Sequence, residues 1–290
     1  MSEAALRRIA AAWAAQGRAA MVVQVIDAQG STPREPGARM LVGADVVEGS
    51  IGGGHLELEA IGQARSMLAS PGGDRQAIER RYALGPSLGQ CCGGAVTLRT
   101  SPLDAETLAR WPEPEPRFML QLHGAGHVGR AIVRILGEID CRVRWVDERE
   151  DAFGPRREPL PPHIECVCNE PASAEVANAP SGALYLVMTH SHALDQAIVE
   201  AVLRRGDFGF LGLIGSATKR ARFEHRLRER GIGEPMLQRL VCPIGLQGVT
   251  GKQPAVIAVS VVGQLLQQEG KVYHHSLQGH CLDRLNSQRL

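Results

Sequence analysis

Two adjacent cysteines, Cys91 and Cys92, form the most reactive-looking feature of the sequence, within the run GQCCGG. The glycines on both sides, with Gly93 directly after the pair, allow backbone N–H groups to approach a thiolate, which lowers the thiol pKa and exposes the sulfur. A soft thiolate suits a soft metal or a sulfur-transfer step rather than magnesium or calcium. The alternative is a pair of small apolar residues buried in a turn, and the sequence leaves both interpretations open.

A glycine fingerprint occurs in the run FMLQLHGAGHVGRAIVRIL, where Gly124, Gly126 and Gly129 have the spacing GxGxxG between an apparent strand and a helix. Asp147 ends the next strand, at the spacing at which a carboxylate meets a ribose hydroxyl. This order of elements predicts a Rossmann-like domain. Two interpretations follow for the loop: a bound nucleotide, or a glycine turn kept for packing with Asp147 merely solvated.

Two histidines, His190 and His192, follow the apolar run LYLVM and so lie at the carboxyl end of a predicted strand, where open α/β sheets bind ligands. The spacing HxH also occurs in zinc sites. A metallohydrolase HxHxD motif would need an acid at position 194, which is leucine. We therefore favour ligand-facing histidines over a metal site, with Ser191 or His192 as a helix cap.

A second phosphate-like segment is GSATKR, which follows the run FGFLGLI and opens a helix. Free N–H groups there, with Lys219 and Arg220 nearby, predict an anion site that includes Ser216. The alternative is Ser216 as the N-cap of a basic surface helix. Lys252 follows a glycine but is not part of a Walker A motif, because position 246 is leucine and position 253 is glutamine.

The elements that must position these residues fall into two groups separated by the linker WPEPEP, in which three alternating prolines exclude a helix. We predict a small N-terminal α+β module over residues 1–111, a linker over 112–116, and a C-terminal domain over 117–290. The N-terminal module has predicted helices at 3–16 and 55–68 and predicted strands at 20–26, 39–42, 80–84 and 96–99. In the C-terminal domain, predicted strands alternate with predicted helices. The strands are at 118–122, 142–146, 184–188 and 208–214, the helices are at 128–136, 193–203 and 217–228, and a last helix begins at Pro254. This alternation predicts a doubly wound parallel sheet, so the fold class is α/β.

The composition excludes several classes of protein. The 290 residues carry a net charge of +1, without the basic excess of a nucleic-acid or membrane-surface protein, and 44% are hydrophobic. No apolar run approaches the ~18 residues that span a bilayer, and the N-terminal residues lack a secretory signal. Seven cysteines in a chain of this length suit reduced thiols. We expect a cytoplasmic protein that contacts neither membrane nor nucleic acid and forms a homo-oligomer.

The ordered motifs together resemble one family. They are GSTPREPGARMLV, GSIGGGHLE, GQCCGGAVTL, HGAGHVGRAIVRIL, VDERED, THSHALD, LGLIGSATKRARF, CPIGL and GKQPAVIAVSVVGQLL. In this order, over almost the whole chain, they closely resemble the XdhC/CoxI family of xanthine dehydrogenase accessory proteins.

The resemblance implies a molybdenum cofactor chaperone rather than an oxidase. Proteins of this family bind the molybdenum cofactor (Mo-molybdopterin), protect it, support its sulfuration with a cysteine desulfurase, and insert it into xanthine dehydrogenase. The family's conserved cysteine maps onto the pair Cys91–Cys92. Cys92 is the favoured cofactor and Mo contact, and Cys91 stays open. The Rossmann fingerprint would hold either a nucleotide or part of the pterin cofactor.

Three other functions compete with the chaperone. The first is an NAD(P)-dependent oxidoreductase in which the glycine loop and Asp147 bind the dinucleotide and His190 or His192 transfers a proton. The second is a metallohydrolase that uses His190 and His192. The third is a scaffold that docks the dehydrogenase without touching its cofactor. Whether the protein is an enzyme is left open, with a non-catalytic accessory protein favoured.

Overall fold

The computed structural model describes residues 1–70, 76–84, 93–154 and 159–268. The chain divides into two compact units, Met1–Pro114 and Glu115–Leu290. Within the described ranges, every helix is too short or too polar to cross a bilayer.

The N-terminal unit is built on an antiparallel sheet of five strands. They are β1 Ala20–Gln29, β2 Arg39–Gly43, β3 Val47–Gly49, β4 Ile78–Ala83 and β5 Ala95–Pro102, arranged in the order β3-β2-β1-β5-β4. Strand β1 lies at the centre, and its pairing with β5 contains an irregularity between Val25 and Asp27. The predicted strands are therefore present, and β1 extends three residues beyond the predicted one.

Helices cover both faces of this sheet. They are α1 Glu3–Ala15, α2 Gly54–Ala69 and α3 Ala105–Ala109. Side chains alternate along β1, so that Met21, Val23 and Val25 pack in one core cluster with residues of α2. Val22 packs on the opposite face with Trp13 of α1 and with Trp111.

The C-terminal unit contains a parallel sheet of six strands. They are β6 Met119–His123, β7 Arg142–Asp147, β8 Ile164–Cys168, β9 Leu184–Val187, β10 Phe210–Leu213 and β11 Leu240–Val241. The spatial order is β11-β10-β9-β6-β7-β8. If β6 is counted as strand 1, β8 becomes strand 3 and β11 becomes strand 6. Read from the β8 edge, the order is then 3-2-1-4-5-6, which is that of a doubly wound Rossmann fold. The predicted fold class is confirmed.

Helices again cover both faces of the parallel sheet. They are α4 His127–Leu136, α5 His192–Arg205, α6 Ala217–Glu229, α7 Glu234–Leu237 and α8 Pro254–Leu266. Helices α4 and α8 pack together on one face, and α5 and α6 contribute to the core cluster of the other. All residues of β9 and β10 are buried, as expected for strands covered on both sides.

Candidate functional site

The fingerprint glycines lie at the point where the strand order reverses, between the ends of β6 and β9, which is where open α/β sheets bind ligands. Gly124 has φ +118°, and a Cβ there would lie 2.3 Å from the carbonyl oxygen of Met188, at the end of β9. A Cβ on Gly129 would lie 2.2 Å from the carbonyl oxygen of Gly124. These two glycines are therefore required for packing of the turn against β9 and of α4 against the turn.

Gly126 differs from the other two glycines, because a Cβ there would meet no atom of the described residues within 4 Å. It is the N-cap of α4, with φ −70° and no side-chain hydrogen bond to the first turn. The N–H groups of a helix's first turn, free of a capping side chain and beside open space, are suited to an anion such as a phosphate. Gly126 is thus the position of the fingerprint at which a ligand can approach the backbone.

Asp147 lies at the end of β7, as predicted, but its carboxylate bonds within the protein. Its Oδ2 accepts a hydrogen bond from the N–H of Ala125 at 2.8 Å, and its Oδ1 accepts from the N–H and Nε of Arg149 at 3.1 and 3.0 Å. Burial opposes ionisation, but the bonds from Arg149 and Ala125 outweigh it and hold the pKa of Asp147 below its usual value. The ionised carboxylate fixes the glycine turn, and its contact with a ribose stays a prediction.

His123 directly precedes the glycine turn and is completely buried. Its Nε2 lies 3.2 Å from Oε1 of Gln121, and its Nδ1 has no hydrogen-bond partner among the residues that the structure describes. Burial lowers the pKa of His123 to about 4, so the imidazole is neutral at pH 7. A neutral, enclosed imidazole is not suited to donating a proton to a ligand at the glycine loop.

A buried ion pair joins the first turns of α5 and α6, the helices that follow β9 and β10. Asp195 is 1% exposed and accepts hydrogen bonds from the N–H and Oγ1 of Thr189, at 2.9 and 2.7 Å. Lys219 donates from Nζ to Asp195 at 2.6 Å and to the carbonyl oxygen of Ile214 at 2.9 Å. The ammonium of Lys219 is thus largely committed to this pair, and its predicted contact with an anionic ligand would have to use its remaining N–H.

The histidines and serines of this edge have separate roles. His190 and His192 are exposed. Ser191 and Ser216 are the N-caps of α5 and α6, with their hydroxyls accepting from the N–H of residues three positions on. Across the described ranges, no group of three or more His, Cys, Asp or Glu residues is placed to hold a metal ion. Cofactor contacts of His190, His192 and Ser216 stay predictions.

Glycine-bearing loops from three parts of the N-terminal unit meet at one end of its sheet. A Cβ on Gly94 would lie 2.5 Å from the carbonyl oxygens of both Gln29 and Ser31, and one on Gly30 would lie 3.3 Å from the Cα of Gly94. A Cβ on Gly52 would lie 2.6 Å from the Cγ of Pro33. The loop around residue 30 therefore contacts the loop around residue 94 through backbone atoms, and it contacts the loop around residue 52 through the side chain of Pro33.

The loop before α2 is closed by Glu57. Its Oε2 accepts from the hydroxyl of Ser50 at 2.6 Å and from the N–H groups of Ile51 and Gly53 at 3.1 and 3.0 Å. The carboxylate thus satisfies N–H groups that would otherwise attract an external anion. Glu57 is the fourth residue of α2 and follows a glycine N-cap, Gly53, so the sequence lacks the Ser/Thr-x-x-Glu spacing of a capping box that would have indicated this contact.

Cys91 and Cys92 lie outside the described residues, and the described chain resumes at Gly93, where a Cβ would have no described neighbour within 4 Å. Burial raises the pKa of the Cys141 thiol to about 12 and also raises that of Cys242. These two thiols therefore ionise poorly at neutral pH. The assignment of a thiolate role to Cys92, with Cys91 as the alternative, stays a prediction.

Two protein-family models match this chain, one in each unit. The XdhC and CoxI family matches residues 13–82, and the XdhC Rossmann domain matches residues 120–265. The uncharacterized protein YqeB of Escherichia coli (strain K12) is 30% identical over 254 residues, which are 85% of this chain and 43% of YqeB. The chain thus spans less than half the length of that curated relative.

A crystal structure from Bacillus halodurans, described as a xanthine dehydrogenase, has the same fold, with a TM-score of 0.72 and 20% sequence identity. The likeness covers 92% of this chain and 96% of that one. Taken together, the two family matches extend into both units and include the glycine turn, Asp147 and the ion pair between α5 and α6. The chain therefore belongs to the XdhC and CoxI family.

Proposed function

We propose that the protein is an accessory protein of xanthine dehydrogenase. In this role it binds and protects the molybdenum cofactor, supports its sulfuration by a cysteine desulfurase, and inserts it into the dehydrogenase. The observation that carries the proposal is the meeting of three glycine loops, around residues 30, 52 and 94, in a chain of this family. One of these loops directly follows Cys91 and Cys92 in the sequence.

The chemistry of the described residues fits the proposed cofactor. Molybdopterin carries a phosphate and a hydrogen-bonding pterin, and when bound it supplies a soft, dithiolene-held metal. The uncovered start of α4 at Gly126 suits the phosphate, because a helix N-terminus favours an anion. A thiolate suits the soft metal, and we assign that contact to Cys92.

The thiolate role is tested by purifying the full chain from cells that make molybdopterin. Bound molybdenum is measured by elemental analysis, and bound pterin by fluorescence after oxidation. We expect Cys92→Ala to lose most of both while its circular dichroism stays that of the wild type. The matched control is Cys168→Ala, which removes an exposed thiol of the C-terminal unit and should retain the cofactor. If Cys92→Ala and Cys91→Ala both retain wild-type amounts, neither thiol holds the metal.

The contribution of the Rossmann loop is tested with two substitutions at Gly126. Serine and aspartate are both good N-caps, and the space at this position is free for either. Gly126→Asp places a negative charge where the phosphate would bind, so we expect about tenfold or greater loss of retained pterin relative to Gly126→Ser. Equal retention by the two variants would exclude the start of α4 as the phosphate site.

The strand order and the free approach at Gly126 also favour a second candidate, an NAD(P)-dependent oxidoreductase. Titration of the protein with NADH and NADPH, followed by nicotinamide fluorescence, separates the two. The chaperone requires no hydride chemistry, whereas the oxidoreductase requires saturable binding of one dinucleotide. Loss of that binding in Gly126→Asp would assign it to the glycine loop.

A further inference from the structure

A polar cavity of about 240 Å³ lies in the N-terminal unit. A row of three residues crosses the sheet beneath it: Gln24 on β1 pairs with Arg39 on β2 and with Arg99 on β5. Residues that pair directly across strands point to the same side of the sheet. All three line the cavity, so two arginines flank one glutamine on its floor.

Hydroxyl groups complete the lining of this cavity. Ser101 follows two residues after Arg99 on β5, and Thr107 belongs to α3. Ser101 is 6% exposed and Thr107 is 9% exposed. Within the described ranges, neither hydroxyl and no part of the Gln24 amide makes a hydrogen bond. These groups line the cavity, so their donors and acceptors are open to a ligand that enters it.

The charged side chains that line the cavity are arginines, and each also has a carboxylate partner that does not line it. The cavity is lined by three arginines, the third being Arg110, and none of its described lining residues is acidic. The nearest carboxylate oxygen to Arg99 is 3.7 Å away, on Glu79, which is beyond hydrogen-bond distance. Arg110 donates Nη1 to Glu106 at 2.9 Å, and that carboxylate is mostly exposed.

Arg39 is the most fixed of the three arginines. Its Nη1 donates to Glu3 at 2.7 Å and to the carbonyl oxygen of Gly37 at 3.0 Å, and its guanidinium lies 5.0 Å from the ring centroid of the buried Trp111. These contacts use one nitrogen of the guanidinium. A guanidinium has five N–H donors, so Arg39 keeps donors for a ligand.

We propose that this cavity binds the phosphate monoester group of a small organic ligand. Guanidinium groups bind phosphate oxygens in pairs of hydrogen bonds, and Arg99 has no such partner in the described chain. The hydroxyls of Ser101 and Thr107 and the amide of Gln24 supply further donors for the remaining oxygens. The volume is below the ~300–1,000 Å³ of sites for drug-sized molecules, which suits a compact anionic group. The site is independent of the proposed function.

The test is isothermal titration calorimetry, in which the full chain is titrated with inorganic phosphate and, separately, with glycerol 3-phosphate at constant ionic strength. We expect saturable binding at one site for the ester, and about tenfold or greater weakening in Arg99→Gln, which removes a charge-assisted contact. Ser101→Ala is the milder variant and should weaken binding several-fold. The matched control is Arg8→Gln, which makes the same change of charge on the exposed side of α1 and should leave binding unchanged.

Three outcomes would overturn the proposal. The first is no saturable binding of either probe to the wild type. The second is wild-type affinity in both Arg99→Gln and Ser101→Ala, with native circular dichroism. The third is an equal loss in Arg8→Gln, which would indicate a general charge effect. Cofactor retention by the same variants is a separate measurement, so failure of this site and failure of the proposed function are distinguishable.

Discussion

The different roles of two fingerprint glycines give a sharp prediction about stability. A methyl group at Gly129 would lie 2.2 Å from the carbonyl oxygen of Gly124, so the turn or α4 would have to move by about 1 Å. That carbonyl also accepts the indole N–H of Trp145 at 3.1 Å, and the bond would be strained with it. Overpacking of this kind costs about 3 kcal/mol, and the helix propensity of alanine returns at most about 1 kcal/mol. We expect Gly129→Ala to lower the free energy of unfolding by about 2 kcal/mol or more.

Gly126→Ser is the matched control, because its side chain would enter free space and serine is a good N-cap. We expect its free energy of unfolding to stay within about 0.5 kcal/mol of the wild type. Urea denaturation followed by far-UV circular dichroism measures both variants, and hydrogen exchange assigns the loss to the C-terminal unit. Equal stability of the two variants would refute the packing role of Gly129.

Three further predictions follow from charged and buried groups. Lys219→Met leaves the buried carboxylate of Asp195 without its partner, so we expect the free energy of unfolding, measured by urea denaturation, to fall by about 3–5 kcal/mol. Adding Asp195→Asn should recover part of this loss, and no recovery would contradict the pairing. The pKa of His123 is about 4 in the folded protein against 6.5 in the unfolded chain, so the unfolded state binds the extra proton as the pH falls. Stability should fall by about 2 kcal/mol more in the wild type than in His123→Gln between pH 7 and pH 5, and parallel curves would refute this assignment. Glu57→Ala removes the acceptor that closes the loop before α2, so we expect the free energy of unfolding to fall by about 1–3 kcal/mol. Amide hydrogen exchange at Gly53, measured by mass spectrometry, should become faster, and unchanged exchange would show that another group closes the loop.

The fold was predictable because its strongest signals are local. The alternation of strand and helix and the spacing of Gly124, Gly126 and Gly129 depend on short stretches of sequence, and both appear in the structure. Strand β8, Ile164–Cys168, was not predicted. It is a short edge strand after a proline-rich stretch, and it is recognised only by its pairing with β7.

The site was less predictable because its contacts are tertiary. The spacing placed Asp147 correctly at the end of β7, but its bond to Ala125 depends on how the glycine turn directs an N–H group. Lys219 and Asp195 lie 24 residues apart and meet only because α5 and α6 begin at the same edge of the sheet. The row formed by Gln24 with Arg39 and Arg99 likewise requires the strand register, which motifs do not contain.

The central position of β1 determines how far the N-terminal unit can be shortened. The family match in this unit ends at residue 82, yet β5, which pairs with β1 from Met21 to Gln29, begins only at Ala95. A truncated chain that stops at residue 82 would leave one edge of β1 without a neighbour, and such an edge recruits strands from other molecules. Any soluble fragment of this unit must therefore run at least through Pro102.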